Sequence, residues 1–337
     1  MLDELPGITV VLPVYFRYVS AAQTRLLRDA LESVMDQNYK GQLEIFIVDD
    51  GSPYPIQTLA GNLGPAAKLV RWFRSDENRG IVSALNAGIA AARTPLIARL
   101  DADDVWLDGK LDAQIALFLN DPDLTISATG MVRVDAHGAE IDRHIRPGNW
   151  EGILRFFSEG GCPFPHGSVI ADRRVFSILG GYPWSAAVRH CEDYALWGVW
   201  LRFFKPAMVE QVLYSYRVSD SSVSSKHAAQ QREASERVRR EFESLELERV
   251  LPRMLPKLAD ALGGSLFEAG VLSYIAWHFR APIAIPSAAI EPLSAILPDR
   301  VLVKTKSATS WRKLLGHSHI ERDDLVAVRA EGLGDSI

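Results

Sequence analysis

The chain has 337 residues, 47% hydrophobic and 23% charged, the balance of a soluble globular protein with room for one large domain or two ordinary ones. Its 37 Lys+Arg against 42 Asp+Glu give a net charge of −5, so no basic field invites nucleic acid. Cys162 and Cys191 form no C-x-x-C pair, the acidic start Met1-Leu2-Asp3-Glu4 lacks a signal peptide's positive charge, and no apolar run approaches the roughly 18 residues that span a bilayer. The expectation is a cytoplasmic chain that does not cross a membrane.

Ile8 to Val14 is a β-branched apolar run and predicts a first buried strand. Ser20 with Gln23 makes a capping box, and Leu27, Ala30, Leu31 and Val34 behind it give one apolar helix face. Leu43 to Val48 predicts a second strand that ends in Asp49-Asp50-Gly51-Ser52, and 68–73 a third. Gly80 opens a small-residue helix with Ile81, Leu85, Ile89 and Ala92 on one side. The apolar run Pro95 to Leu100 predicts a strand that feeds into Asp101-Ala102-Asp103-Asp104. Beyond it come a helix near Leu107 with Leu111, Ile115, Phe118 and Leu119 on its face, a strand over 124–134 broken at Gly130, and a loop over 136–149. A short helix at 150–157, a rigid link Cys162 to Gly167, a strand over 168–171 and a turn at Gly180-Gly181-Tyr182 follow. Glu192-Asp193 then precede an apolar helix through Leu196, Val199, Trp200 and Phe203, and 205–218 is the last strand. From Lys226 the composition shifts to Arg and Glu with a thin apolar seam, which predicts an exposed helix to about 257 and a separate C-terminal extension.

Strands alternating with helices imply right-handed crossovers and a mainly parallel sheet, whose ligands bind beyond the carboxyl ends of the strands. Both acidic turns fall at that edge. Three carboxylates within four residues, Asp101 to Asp104, repel one another, and a hard divalent cation among them is one way to keep them. The plain alternative is a solvated turn capping the next helix; for Glu192-Asp193 it is a pair favoured at a helix N-terminus by about 0.3–1 kcal/mol each.

Taken in order, V-V-L-P-V-Y at Val10, V-D-D-G-S at Val48, E-N-R-G-I at Glu77, L-D-A-D-D at Leu100, H-G-S-V at His166, G-G-Y at Gly180, E-D-Y-A-L-W at Glu192 and Y-R-x-S at Tyr216 resemble glycosyltransferase family 2, inverting enzymes of the GT-A fold. The likeness covers roughly 8–225 and leaves 226–337 outside. It implies an α/β GT-A catalytic domain over 1–225, with a nucleotide-binding half to about 104 and an acceptor half after it, followed by a mostly helical extension. By position it implies that Pro13 and Tyr15 wall the nucleotide base and Asp50 accepts from it. Asp101 and Asp103 match the D-x-D motif, Asp103 as direct ligand of Mn²⁺ or Mg²⁺ and Asp101 on the ribose or at the metal through water. Asp193 matches the general base, with Glu192 orienting the loop or holding acceptor, or the two roles exchanged. Arg79 stands where it reaches a phosphate or is an ordinary exposed arginine. His166 is near the acceptor or is a satisfied structural histidine. Trp197 meets a sugar face or belongs to the core. Arg217 belongs to a loop that closes over the diphosphate in relatives, though Ser219 replaces a histidine common there, and neither Q-x-x-R-W nor membrane helices of processive synthases are present.

The implied activity is transfer of a sugar from a nucleotide-diphosphate sugar, uridine favoured, to a glycan or lipid-linked acceptor in surface polysaccharide or glycan synthesis. A sugar nucleotidyltransferase needs a Gly-rich loop after the first strand, and 13–20 has no glycine. A non-catalytic sugar-nucleotide scaffold is the third alternative. The tail's arginines and tryptophans suit helix contact within the chain, a homodimer, or peripheral attachment at the inner face of an anionic membrane.

Overall fold

The computed structural model describes residues 5–121, 124–218 and 227–243. Met1–Leu201 with Pro206–Arg240 form one compact unit, which carries the site; a second unit takes 202–205 with 241–337. Ser219 and the expected extension beyond 243, with Leu245, Trp277 and Trp311, lie outside the described residues.

The chain alternates strand and helix at first. The strands are β1 (Ile8–Val14), β2 (Leu43–Asp49), β3 (Val70–Arg74) and β4 (Leu96–Arg99), with helices α1 (Ala21–Met35) and α2 (Ile81–Ala91) between them. β5 (Val105–Trp106), α3 (Lys110–Asn120), β6 (Leu124–Val134), β7 (Glu140–His144) and α4 (Trp150–Ser158) follow. Then come β8 (Ile170–Asp172), α5 (Arg173–Leu179), α6 (Glu192–Phe203), β9 (Lys205–Arg217) and α7 (Ala228–Glu243). All nine strands join one sheet in the order β3-β2-β1-β4-β8-β6-β9-β5, with β7 on β6. β3, β2, β1 and β4 pair parallel, while β8 runs antiparallel to both β4 and β6. The first four strands are thus parallel; β8 joins the sheet antiparallel through long connections, and β7 returns to β6 by a short turn.

Residues 8–12 of β1 are all 1% exposed or less, as expected of a central strand covered on both faces. Ser20 caps α1 as read: its Oγ accepts from the Gln23 amide at 3.2 Å and donates to Gln23 Oε1 at 3.1 Å, and Leu27, Ala30, Leu31 and Val34 are fully buried. The other helices bury narrower arcs than expected, leaving Ile81, Leu119 and Val199 exposed. Residues 136–149, expected as loop, contain β7, held to β6 by Arg133–Asp142. β6 continues through Gly130, because a side chain there would lie 2.9 Å from the Gln211 and His144 carbonyls. Unpredicted α5 follows β8, its first turn capped by Asp172, which accepts from Arg174 N at 2.8 Å.

One buried group is chemically out of place. Lys110 is fully buried with Nζ 3.9 Å from the centre of the Trp106 ring and, among the described residues, without a hydrogen-bond partner. Burial pushes its ammonium well below the usual lysine range. The unfolded chain binds this proton and the fold resists it, so acid costs the fold stability. Lys110→Met keeps the stem and removes the amine. It should stabilise by about 1–3 kcal/mol, raising Tm by about 2–4 °C per kcal/mol in a scan, with a larger gain at pH 6 than at pH 10.

Candidate active site

β2, β1 and β4 lie side by side, so their carboxyl ends share one edge: Asp50 N donates to Val14 O at 2.9 Å and Leu100 N to Val11 O at 3.3 Å. The two acids of the first turn divide their work. Asp49 is 2% exposed and spends its carboxylate on Ser52 N, Ile56 N and Arg74, at 2.9, 3.0 and 2.7 Å. Asp50 accepts from Arg79 N at 3.0 Å and Gly80 N at 2.7 Å, tying its loop to the start of α2. Gly51 permits this crossing: its φ is +68°, and a Cβ there would sit 2.3 Å from the Glu77 carbonyl carbon. Arg79 thus meets Asp50 through its backbone, while its exposed guanidinium turns to Glu77 at 3.2 Å. Pro13 is inside β1 opposite Val48, and Tyr15 just beyond is 45% exposed at the same edge.

The second acidic turn separates three carboxylates by environment. Asp101 is ion-paired with Arg99, whose side chain is 5% exposed. Asp104 is buried, accepting from the Tyr214 hydroxyl and from Arg217 N at 2.7 Å, which fastens the turn to β9. Burial, then Asp101 and Asp103, raise its carboxyl well above the ordinary range. Asp103 is exposed and, among the described residues, takes no hydrogen bond from another side chain. Desolvation and the neighbouring Asp101 charge push it up to about 6. Arg217 is not free to reach outward: Nε donates to Asp103 O at 3.1 Å, and Nη1 to Asp135 O and Ala136 O at 3.0 and 3.3 Å. It braces the turn on which Asp103 stands.

Across this edge the first turn of α6 carries Glu192 and Asp193. Burial raises both carboxyls; for Asp193 the Tyr194 amide, donating to Oδ1 at 2.8 Å, and the Arg99 charge pull the other way. His166, in the 3₁₀ turn before β8, has Nδ1 4.0 Å from Asp193 Oδ2 and Nε2 2.7 Å from the Tyr182 hydroxyl. Burial, aided by Arg99, keeps its imidazole neutral, well below the usual histidine range. Trp197 is corrected to core: it is fully buried, edge-on to Phe164 and behind His166 at 5.5 and 6.0 Å between ring centres, so no sugar reaches its face.

Arg99 escapes the sequence reading, although an arginine inside an apolar strand two residues before Asp101 was visible. Its charge acts on Asp103 on one side and on Glu192 and Asp193 on the other, so both acid groups lie within reach of one buried cation. Asn86, within the helix that Gly80 opens, and Tyr182, read only as part of a turn, are also unpredicted members.

Among the described residues no three His, Cys, Asp or Glu side chains converge as a metal cage. An Asp103 carboxyl that takes no hydrogen bond from another described side chain, and is raised by desolvation and the Asp101 charge, fits instead a hard cation held by one carboxylate and a substrate's phosphates. No helix among the described residues is long and apolar enough to cross a membrane.

The sequence model described as Glycosyl transferase family 2 matches residues 9–177. The putative glycosyltransferase EpsE of Bacillus subtilis (strain 168) is 26% identical over 221 residues, 64% of this chain and 74% of that protein. The amylovoran biosynthesis glycosyltransferase AmsE of Erwinia amylovora is 28% identical over 175 residues, 51% of this chain and 62% of that one. A crystal structure of S. aureus TarS 1-349 superposes with a TM-score of 0.50 at 15% identity, covering 87% of this chain and 90% of that one. Its complex with UDP-GlcNAc gives 0.50 at 13%, covering 93% and 87%. The shared architecture is the GT-A fold.

Proposed function

Because the chain belongs to glycosyl transferase family 2, we propose that it transfers a sugar, with inversion, from a nucleotide-diphosphate sugar to an acceptor hydroxyl. The observation that carries this reading is the shared edge: Asp50 and Asp103 follow β2 and β4, the two parallel strands that flank β1, and half-buried Asp193 faces them across Arg99. We assign residues 1–225 to catalysis and 226–337 to an appended extension. A uridine nucleotide is proposed as donor, in line with the UDP-GlcNAc complex of TarS, and a glycan or lipid-linked acceptor is proposed beside it, the biosynthetic role in AmsE's name supporting a part in glycan synthesis. The proposed setting is cytoplasmic, at the inner face of the membrane, with the extension as membrane or dimer contact.

In this mechanism Tyr15 and Pro13 wall the base, and Asp50 offers it the lone pairs that Arg79 N and Gly80 N leave free. Asp103, with Asp101 behind it, would hold Mn²⁺ or Mg²⁺, which when bound neutralises charge on the departing diphosphate. Asp193 takes the acceptor's hydroxyl proton as that oxygen bonds the anomeric carbon. The bond to the diphosphate breaks on the opposite face, and its electron pair leaves with the diphosphate, inverting the centre. Glu192 borders the acceptor.

A thermal-shift panel of nucleotide-diphosphate sugars, each with and without Mn²⁺, tests the donor: one donor at 100 times its Kd should stabilise by about 2.7 kcal/mol. Nucleotide release should follow with acceptor present. Pyrophosphate formed from a nucleoside triphosphate and a sugar 1-phosphate would replace this reading with a nucleotidyltransferase; binding with no turnover of any donor would leave a scaffold.

A further inference from the structure

The Gly180-Gly181-Tyr182 turn is clamped by a residue of the opposite half of the site. Asn86, on α2, donates through Nδ2 to Tyr182 O at 2.9 Å and accepts through Oδ1 from Tyr182 N at 2.8 Å. Gly181 makes the approach feasible: its φ is +76°, and a Cβ there would lie 2.4 Å from Asn86 Oδ1. α2 is the helix whose start is fixed by Asp50 through Gly80 N. The clamp therefore runs from the donor-side carboxylate along one helix to Tyr182, which is 2% exposed and has its hydroxyl 2.7 Å from His166 Nε2.

Hydrogen-bond chemistry decides which way this contact points. Burial holds the Tyr182 phenol in its protonated form and His166 in its neutral form. A neutral imidazole has one N–H and one lone pair. Were Nε2 to carry the proton, the Nδ1 lone pair would face the Asp193 carboxylate 4.0 Å away, an arrangement that repels. With the Tyr182 O–H donating to Nε2, the proton sits on Nδ1 and the N–H faces Asp193 Oδ2. We propose that Asn86 and Tyr182 are positioning residues that fix His166 as its Nδ1–H tautomer, so that His166 orients the general base Asp193 and favours its ionised form. The gap of 4.0 Å is about an ångström long for a hydrogen bond, the kind of looseness that tightens when substrate binds. Trp197 backs the imidazole edge-on and is itself held by Phe164, which limits the room for the ring to swing away.

This inference rests on the transferase reading for Asp193's role but not for the tautomer, so two readouts separate them. In the full-length chain, long-range ¹H–¹⁵N spectra should show His166 protonated at Nδ1; protonation at Nε2 overturns the proposal whatever the activity. Tyr182→Phe removes only the hydroxyl and should fold as the parent does. It should lower kcat about tenfold, leave the Kd for the nucleotide-diphosphate sugar within twofold, and move the acid limb of the kcat profile to higher pH. The sign follows because Nε2 no longer needs to accept: the other tautomer turns a lone pair toward Asp193 and raises its affinity for a proton. The other groups that bear on Asp193, namely Arg99, Asp101, Glu192, Cys162 and Cys191, are unchanged in this variant. Asn86→Ala, which releases the turn without touching the imidazole, should shift kcat and the acid limb in the same direction. A Tyr182→Phe enzyme with parental kcat and an unmoved acid limb, or a loss confined to donor Kd, would overturn the assignment. A parent that turns over no nucleotide sugar defeats the function proposed above and leaves the spectra to decide the tautomer.

Discussion

Asp193→Asn is expected to lower turnover by about 10²–10⁴-fold while nucleotide-sugar binding stays within twofold. The substitution is nearly isosteric. Its amide oxygen can still accept from Tyr194 N, which now donates to Asp193 Oδ1 at 2.8 Å, so the first turn of α6 keeps its geometry. What it loses is the capacity to take a proton. Stability should move the opposite way from activity. Burial raises the Asp193 carboxyl in the fold, so the folded chain holds this proton more tightly than the unfolded chain does, and ionisation at neutral pH costs stability. The variant should melt above the parent at pH 8, and the difference should vanish as the pH falls below the ordinary carboxylate range. A loss of activity with an unchanged or higher Tm separates a chemical role from a folding defect. Transfer near the parental rate would place the base elsewhere, with Glu192 the next residue to test.

The legible part of the chain was the part where local pattern and tertiary need coincide. β1, β2 and β4 read as largely apolar, β-branched runs, and α1 announced itself by a capping box and a buried seam that the structure retains residue for residue. β7 was hidden because its stability comes from pairing with β6 and from charged contacts such as Arg133–Asp142, so it has no apolar alternation to display. α5 is one short helix held by an Asp172 cap and overlaps a run that also suits a strand. The acidic residues were visible as a set, but their division was not. Asp49, Asp101 and Asp104 are chemically identical to Asp50 and Asp103 in the sequence; contacts with Arg74 on β3, with Arg99 at the end of the strand that feeds the turn, and with Tyr214 on β9 distinguish engaged carboxylates from available ones. Trp197, one turn into an apolar helix, already favoured the core, and Phe164, His166 and Tyr182 surround it there.

That division makes the D-x-D motif testable one acid at a time. Asp103→Ala should abolish the divalent-dependent part of donor binding: by calorimetry with a uridine diphosphate sugar, Mn²⁺ should no longer tighten Kd, a loss of tenfold or more, about 1.4 kcal/mol per factor of ten. The chain should fold at least as well as the parent, because the Asp103 carboxyl is already pushed up to about 6 by desolvation and the Asp101 charge, and its removal relieves that repulsion. Asp101→Ala should fail in a different way. Its carboxylate is the ion-pair partner of Arg99, which is 5% exposed, and deleting one member of such a pair leaves a buried charge uncompensated. The usual cost is about 3–5 kcal/mol, and the low end applies here because Asp101 itself is 27% exposed. Its loss of donor binding should therefore come with a fall in Tm, and Asp101→Asn should recover part of the fold without the ion pair. Should Asp103→Ala bind the donor with an undiminished response to Mn²⁺, the cation is held elsewhere. Should Asp101→Ala melt with the parent, Arg99 has another partner and its charge is not what supports the turn.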